Sequence, residues 1–459
     1  MNKNQTTWLA CSLLLMGQAT CAIGTARAGD FEVKDATGGK EMTNTSGEGN
    51  FGRQKFTLTL DTRFGYDDNV LARPDTATVL VTPVPGAAPL LRTVDVDQED
   101  SAFFNFVLGV GYTAASPRAS LTVGADVGVT YYFDRQGRDY DINGGLSGRF
   151  TYKLTPRAFF DISTYNAYVS AGDYGASNLS GFNGANGVST GVPGTSQGLN
   201  SDYFYTTDRV ALSYQFAPRL SVVGSQNIVA FAYDEDLYSQ ASDRIETYSS
   251  LELQYLLQPN LTLAGTYRFG YVDYFNVSSD SQNHFVLGGV DYSFSQKLKA
   301  TVRAGVQFRE YLNSNVGSGS DGDEASPYAE GSITYDISRN SHLSLSGRYG
   351  IEEGVLFANA TSKSNTFRIG TDFTQNFTAR ISGYAAFYYT HAQYQTLGNG
   401  GIGNFEENTY DVSAGVRYAI NRHLAAEVGY THTTFDSNAD IFDRSYDRNR
   451  YFGGLRVQF

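Results

Sequence analysis

From Lys55 to its final residue, Phe459, this chain is a succession of stretches in which every second residue is apolar. The last of them sets Tyr451, Gly453, Leu455, Val457 and Phe459 on one face, with Phe452, Gly454, Arg456 and Gln458 between. A strand with one face in lipid and the other toward a lumen has this period of two. Leu121, Val123, Ala125, Val127, Val129, Tyr131 and Phe133 alternate in the same way with Thr122, Gly124, Asp126, Gly128 and Thr130. So do Leu298, Ala300, Val302, Ala304, Val306 and Phe308 with Lys299, Thr301, Arg303, Gly305 and Gln307. The stretches reach 12 residues or more, whereas strands of a soluble sandwich run to about five or six. About 10 residues at ~3.4 Å, tilted by about 40°, cover the ~25 Å apolar band of a membrane barrel.

An internal repeat of about 40 residues punctuates these stretches. Each copy has an aromatic residue, an apolar one, then a tight turn with Pro or a basic or amide residue. The copies are Tyr152 to Arg157, Tyr214 to Arg219, Tyr255 to Asn260, Tyr292 to Lys297, Tyr335 to Asn340 and Tyr418 to His423, with looser ones at Tyr112 to Arg118 and Phe373 to Asn376. Proline belongs there because it presets φ and lacks the N–H that a ladder needs. Between these eight turns lie nine longer polar connections, near 67–100, 134–139, 170–201, 234–243, 276–282, 312–326, 352–363, 393–407 and 436–445. Seventeen connections make 18 strands, an even number with both termini on the short-turn side. The expected fold is all-β: a closed, antiparallel, up-and-down transmembrane barrel with short periplasmic turns and long extracellular loops.

Composition fits. The chain has 64 aromatic residues, 33 Tyr, 30 Phe and 1 Trp, and a negative mean hydropathy. Its one long apolar run is N-terminal, where Lys3 precedes Trp8 to Met16 and Ala26-Arg27-Ala28 forms a cleavage site. Residues 1–28 therefore read as a cleaved signal peptide, 29–54 as a flexible periplasmic lead-in, and 55–459 as the barrel. Both cysteines, Cys11 and Cys21, leave with the signal, and Gln18-Ala19-Thr20 fits a lipidation box poorly. Without disulfides, sheet hydrogen bonds and packing must hold the exported chain. Losing Lys3 and Arg27 takes the net charge from -13 to -15, which argues against nucleic acid as a partner.

The first strand leaves through Phe64-Gly65-Tyr66-Asp67-Asp68-Asn69-Val70. This opening resembles that of the β-barrel porin family that includes the EpsL-like proteins of exopolysaccharide gene clusters, and the hairpin layout from Arg53 to Phe459 is similar. The resemblance implies an outer-membrane barrel of a Gram-negative bacterium, associated in some members with polysaccharide export proteins.

If the apolar residues face lipid, the residues between them face the lumen. That face collects Asp61, Arg63, Asp126, Arg149, Arg209, Glu246, Glu252, Arg268, Arg303, Arg348, Arg368, Asp372, Arg380, Asp411, Arg417, Glu427 and Arg456. Arg63, Arg149, Arg268, Arg303, Arg348, Arg368, Asp372 and Arg417 are the candidate pore-lining residues. Arginine rows tune the passage of ions and anionic solutes; mutual pairing that merely fills the interior is the other reading. The loop 170–201, which follows the fifth strand, is either a constriction folded into the barrel or a surface loop. Tyr451, Leu455, Val457 and Phe459 are the expected signal for the outer-membrane barrel-assembly machinery, and outer-membrane lipid and lipopolysaccharide the expected surroundings.

Acidic loop clusters such as Asp234-Glu235-Asp236, Asp321 to Glu324, Glu352-Glu353 and Glu406-Glu407 offer oxygen ligands to Ca²⁺ or Mg²⁺, but none has EF-hand spacing. No metal or cofactor is expected. The five histidines, His284, His342, His391, His423 and His432, read as strand-end or turn residues with no nucleophile context. An enzyme is not expected. The chain reads as a passive channel for small hydrophilic solutes, monomeric or trimeric, with a component of polysaccharide export or a non-conducting scaffold as the alternative.

Overall fold

The computed structural model describes residues 55–74, 76–81, 90–95, 98–170, 202–234, 242–276, 280–312, 324–353, 361–397, 404–438 and 445–459. The signal peptide, the lead-in and the body of the loop 170–201 lie outside the described residues. The wall begins with β1 (Lys55–Asp67). A separate hairpin, β2 (Thr76–Val81) and β3 (Leu90–Asp95), interrupts it before β4 (Ser101–Ala115) and β5 (Ala119–Tyr132). Next come β6 (Tyr140–Thr155), β7 (Ala158–Val169), β8 (Tyr203–Ala217), β9 (Leu220–Tyr233), β10 (Arg244–Gln258), β11 (Leu261–Tyr274) and β12 (Ser281–Ser293). The wall ends with β13 (Leu298–Tyr311), β14 (Glu324–Ser338), β15 (Ser341–Glu353), β16 (Thr361–Asn376), β17 (Ile381–Leu397), β18 (Phe405–Ala419), β19 (Leu424–Ser437) and β20 (Tyr446–Gln458).

β1 and β4 to β20 form one 18-stranded sheet that closes where β1 pairs antiparallel with β20. Strand number and connectivity are as the turn count requires. The β2–β3 hairpin was not anticipated, because its residues were read as a polar loop.

Period two sorts the side chains. Phe56, Phe64, Val127, Leu251, Val286, Val428 and Leu455 stand exposed on the outer face. Asp61, Arg268, Arg303, Glu330 and Arg368 are buried on the inner one. An exposed apolar band on this scale is incompatible with water and matched to hydrocarbon. Outward polar residues interrupt it and bond locally, as where Asp208 of β8 takes a hydrogen bond from Thr206 Oγ1 at 3.2 Å.

The turns show why their sequences recur. Thr155 Oγ1 accepts the N–H of Arg157 at 3.2 Å, and Ser295 Oγ those of Lys297 and Leu298 at 3.2 and 3.1 Å. Thr378 Oγ1 takes Arg380 and Ile381 at 3.1 and 3.0 Å, and Asn421 Oδ1 takes His423 and Leu424 at 2.8 and 2.9 Å. A short polar side chain thus closes the turn where the ladder stops. Arg380 lies in such a turn and is exposed, so it is not a lumen residue as the parity count suggested. Parity fails there because the turn interrupts the pleat. Glu352 and Glu353, read as loop residues, instead end β15 and bind arginines.

Close packing on the inner face is set by glycines under aromatic rings. A Cβ on Gly370 of β16 would lie 2.5 Å from Tyr388 Cδ1 of β17, and one on Gly350 of β15 2.6 Å from Tyr328 Cδ2 of β14. Gly370→Val must therefore swing the Tyr388 ring away and break its 2.5 Å hydrogen bond to Asp372. The expected loss is about 1–3 kcal/mol, read from the denaturant midpoint of the refolded barrel. Tyr388→Ala in the same chain should recover part of it, and strict additivity of the two changes would refute the contact.

Candidate functional site: the charged inner wall

Ten of the 18 wall strands carry inward arginines, and each of these arginines finds a carboxylate on another strand or farther along its own. Arg268 Nη2 of β11 reaches Glu330 Oε1 of β14 at 2.8 Å, three strands away, with Tyr328 OH at 3.1 Å from Nη1. Arg303 of β13 binds two acids, Glu252 at 3.0 Å and Asp291 at 2.7 Å. Arg244 binds Glu246 at 2.8 Å and lies 4.4 Å over the Phe231 ring. Arg309 pairs with Glu353, and Arg456 with Asp61.

Elsewhere one carboxylate serves two guanidiniums. Asp161 takes Arg149 at 3.0 Å and Arg209 at 3.2 Å. Glu352 takes Arg368 at 2.5 Å and Arg348. Glu427 takes Arg417 at 2.8 Å and Arg63 at 3.9 Å. Asp67 takes Arg448 at 2.5 Å and Arg450 at 3.1 Å. Every such triad carries one positive charge more than its acid cancels. Three inner carboxylates are set apart from these triads: Asp372 is bonded by Tyr388 OH at 2.5 Å, Asp411 by Thr433 Oγ1 at 2.6 Å, and Asp126 is exposed on β5. Beyond the strands, Arg138 donates to Asp202 at 2.5 Å, and this bond raises its already high pKa.

Packing tightens toward the loops. Tyr132, Thr130, Phe231, Asn283, Gln307, Thr409 and Phe435 line the loop side of the inner wall and are almost wholly buried. Toward the turns Lys299 is exposed and the Asp291 side chain is 34% exposed.

All eight candidate pore-lining residues, Arg63, Arg149, Arg268, Arg303, Arg348, Arg368, Asp372 and Arg417, fall on the inner wall. The structure joins Arg348 to Arg368 through Glu352, and Arg63 to Arg417 through Glu427. Arg244, Arg309, Arg448 and Arg450 were missed. The signal was present: each stands an even number of residues from an inward neighbour, Glu246, Arg303 or Arg456. Tyr451, Leu455 and Phe459 are exposed on the outer face.

Residues 358–459, which contain the last five strands, match the family described as "Putative beta-barrel porin 2". No curated protein matches the chain. Among solved structures it is similar to Pseudomonas aeruginosa OpdK in a crystal structure with vanillate: 11% identical, covering 88% of this chain and 99% of that one, with a TM-score of 0.41. It is similar to Pseudomonas aeruginosa OccK8 (OprE) at 12% identity, 88% and 98% coverage and a TM-score of 0.40. For Acinetobacter baumannii OccAB4 the values are 11%, 88%, 98% and 0.37. At these identities and scores the barrel of this chain rests on its own strand pairing, and its last five strands are similar to those of a porin family.

Proposed function

We propose that this chain is an outer-membrane channel of a Gram-negative bacterium for small hydrophilic solutes. The observation that carries the reading is a closed barrel with an apolar outer face and an inner wall of arginine-rich triads. Charges of both signs on that wall suit hydrated solutes rather than lipid. The reading includes cleavage after Ala28, a periplasmic lead-in at 29–54 and recognition of the Tyr451-to-Phe459 strand by the assembly machinery.

The chain from Gly29, refolded and inserted in a planar bilayer, should give steady open steps proportional to salt. A folded barrel that never conducts would refute the channel. The tightly buried loop-side wall favours one second reading, a barrel closed until a partner opens it. For the EpsL-like resemblance that partner would be a polysaccharide export protein.

A further inference from the structure

Two hairpins of the outer wall carry the same four side chains 41 residues apart. Tyr389 and His391 of β17 with Asn408 and Tyr410 of β18 recur as Tyr430 and His432 of β19 with Asn449 and Tyr451 of β20. In both hairpins the register sets Tyr opposite Tyr and His opposite Asn. The ring pairs stack alike, Tyr389 on Tyr410 at 4.8 Å and 30°, Tyr430 on Tyr451 at 4.8 Å and 29°. Asn408 Oδ1 accepts Tyr389 OH at 2.9 Å and lies 2.9 Å from His391 Nδ1. Asn449 Oδ1 accepts Tyr430 OH at 2.7 Å and lies 2.9 Å from His432 Nδ1. With Nδ1 turned to the amide oxygen, the Nε2 edge of each imidazole is the one left for other partners; at His432 it also lies 3.0 Å from Thr434 Oγ1.

These side chains point outward. Phe387, Val412, Val428 and Leu455, of the same parity on the same strands, are exposed apolar residues of the outer band. The two units stand on the loop side of them, where hydrocarbon gives way to head groups. Imidazole and amide groups in hydrocarbon would be left without partners; among head groups they meet hydroxyls and phosphates. Other rim aromatics are held differently, Tyr66 by Asp100 at 2.6 Å for example.

We propose that the two units form a platform for the phosphorylated saccharide head group of an outer-leaflet glycolipid. The tyrosine pairs offer flat apolar surfaces to sugar C–H faces, Asn408 hydrogen-bonds a hydroxyl while the Asn449 amide is held by Asp68 at 2.7 Å, and His391 and His432 face the phosphates. The inference rests on the outer-membrane reading but not on conduction. None of these residues belongs to the inner wall.

The test is native mass spectrometry of the refolded chain titrated with a diphosphorylated glucosamine lipid and, separately, with phosphatidylglycerol. The wild type should hold the glycolipid preferentially, and H391A/H432A should bind it about tenfold more weakly, the loss of about 1.4 kcal/mol of charge-assisted hydrogen bonding. Phosphatidylglycerol binding should not change. H391Q/H432Q, which keeps polar side chains at both sites, serves if the alanine pair does not fold. Equal glycolipid affinity of wild type and variant would overturn the platform, as would equal wild-type affinity for both lipids. Selective glycolipid binding by a silent barrel would refute the channel and leave the platform standing; conduction by a chain with no lipid preference would do the reverse.

Discussion

Replacing Asp67 with Asn should destabilise the barrel by about 3–5 kcal/mol, the cost of removing one partner from a buried ion cluster. Asp67 ends β1 and is fully buried, and it binds Arg448 and Arg450 of β20 across the closing seam. Without its charge two guanidiniums are left against a neutral amide. The residues after it continue the clasp. Asp68 accepts Asn449 N and Nδ2 at 2.6 and 2.7 Å, and Asn69 donates to the Arg73 and Asp447 carbonyls at 2.8 and 3.1 Å. The measurement is the temperature at which the folded, fast-migrating band is lost on an SDS gel, together with the urea midpoint. Asp100→Asn, at the exposed rim, should move both by less than about 1 kcal/mol. An Asp67→Asn barrel as resistant as wild type would show that backbone pairing alone closes the seam. Asp67→Leu with Arg448→Met and Arg450→Met should regain much of the loss, because an apolar cluster has no charge to desolvate.

The second prediction concerns selectivity. Glu427 holds Arg417 and Arg63, and the Arg63 side chain is 32% exposed, nearer to lumen water than most of the wall. A unit charge about 10 Å from a permeating ion in water is worth about 0.4 kcal/mol, or a factor of about two. Anions gain and cations lose by that factor, so Glu427→Gln should raise the anion-to-cation permeability ratio about fourfold, and Arg63→Gln should lower it by a similar factor. The two substitutions sit in one triad, so opposite shifts report charge and a common shift reports altered pore shape. Reversal potentials under a KCl gradient at low ionic strength read both, and the shifts should shrink as salt screens the wall. Shifts of the same sign in both variants would refute an electrostatic role for the triads.

The Asp67 clasp also shows what a motif can and cannot say. Tyr66-Asp67-Asp68-Asn69-Val70 was legible as an opening sequence, yet nothing in it named Arg448, 381 residues away. Arg380 and the pair Glu352-Glu353 mark the limit of counting by twos: a turn breaks the pleat at the first, and β15 runs farther than its acidic end suggested. The repeated Tyr, His and Asn of the last two hairpins were in plain view, but two histidines read as strand-end residues become a matched surface only when register sets each beside its asparagine.

By itself the sequence determined the class of fold, the number of strands in the wall and, within those strands, which residues face in or out. Those follow from local rules: side chains alternate along any strand, and a short polar side chain two or three residues before a backbone N–H closes a tight turn. Only the tertiary structure decided which carboxylate each arginine meets, which acids serve two, and how β1 locks to β20. Partners three strands apart in the wall, or at opposite ends of the chain, depend on closure and stagger of the whole barrel, and no local pattern encodes that.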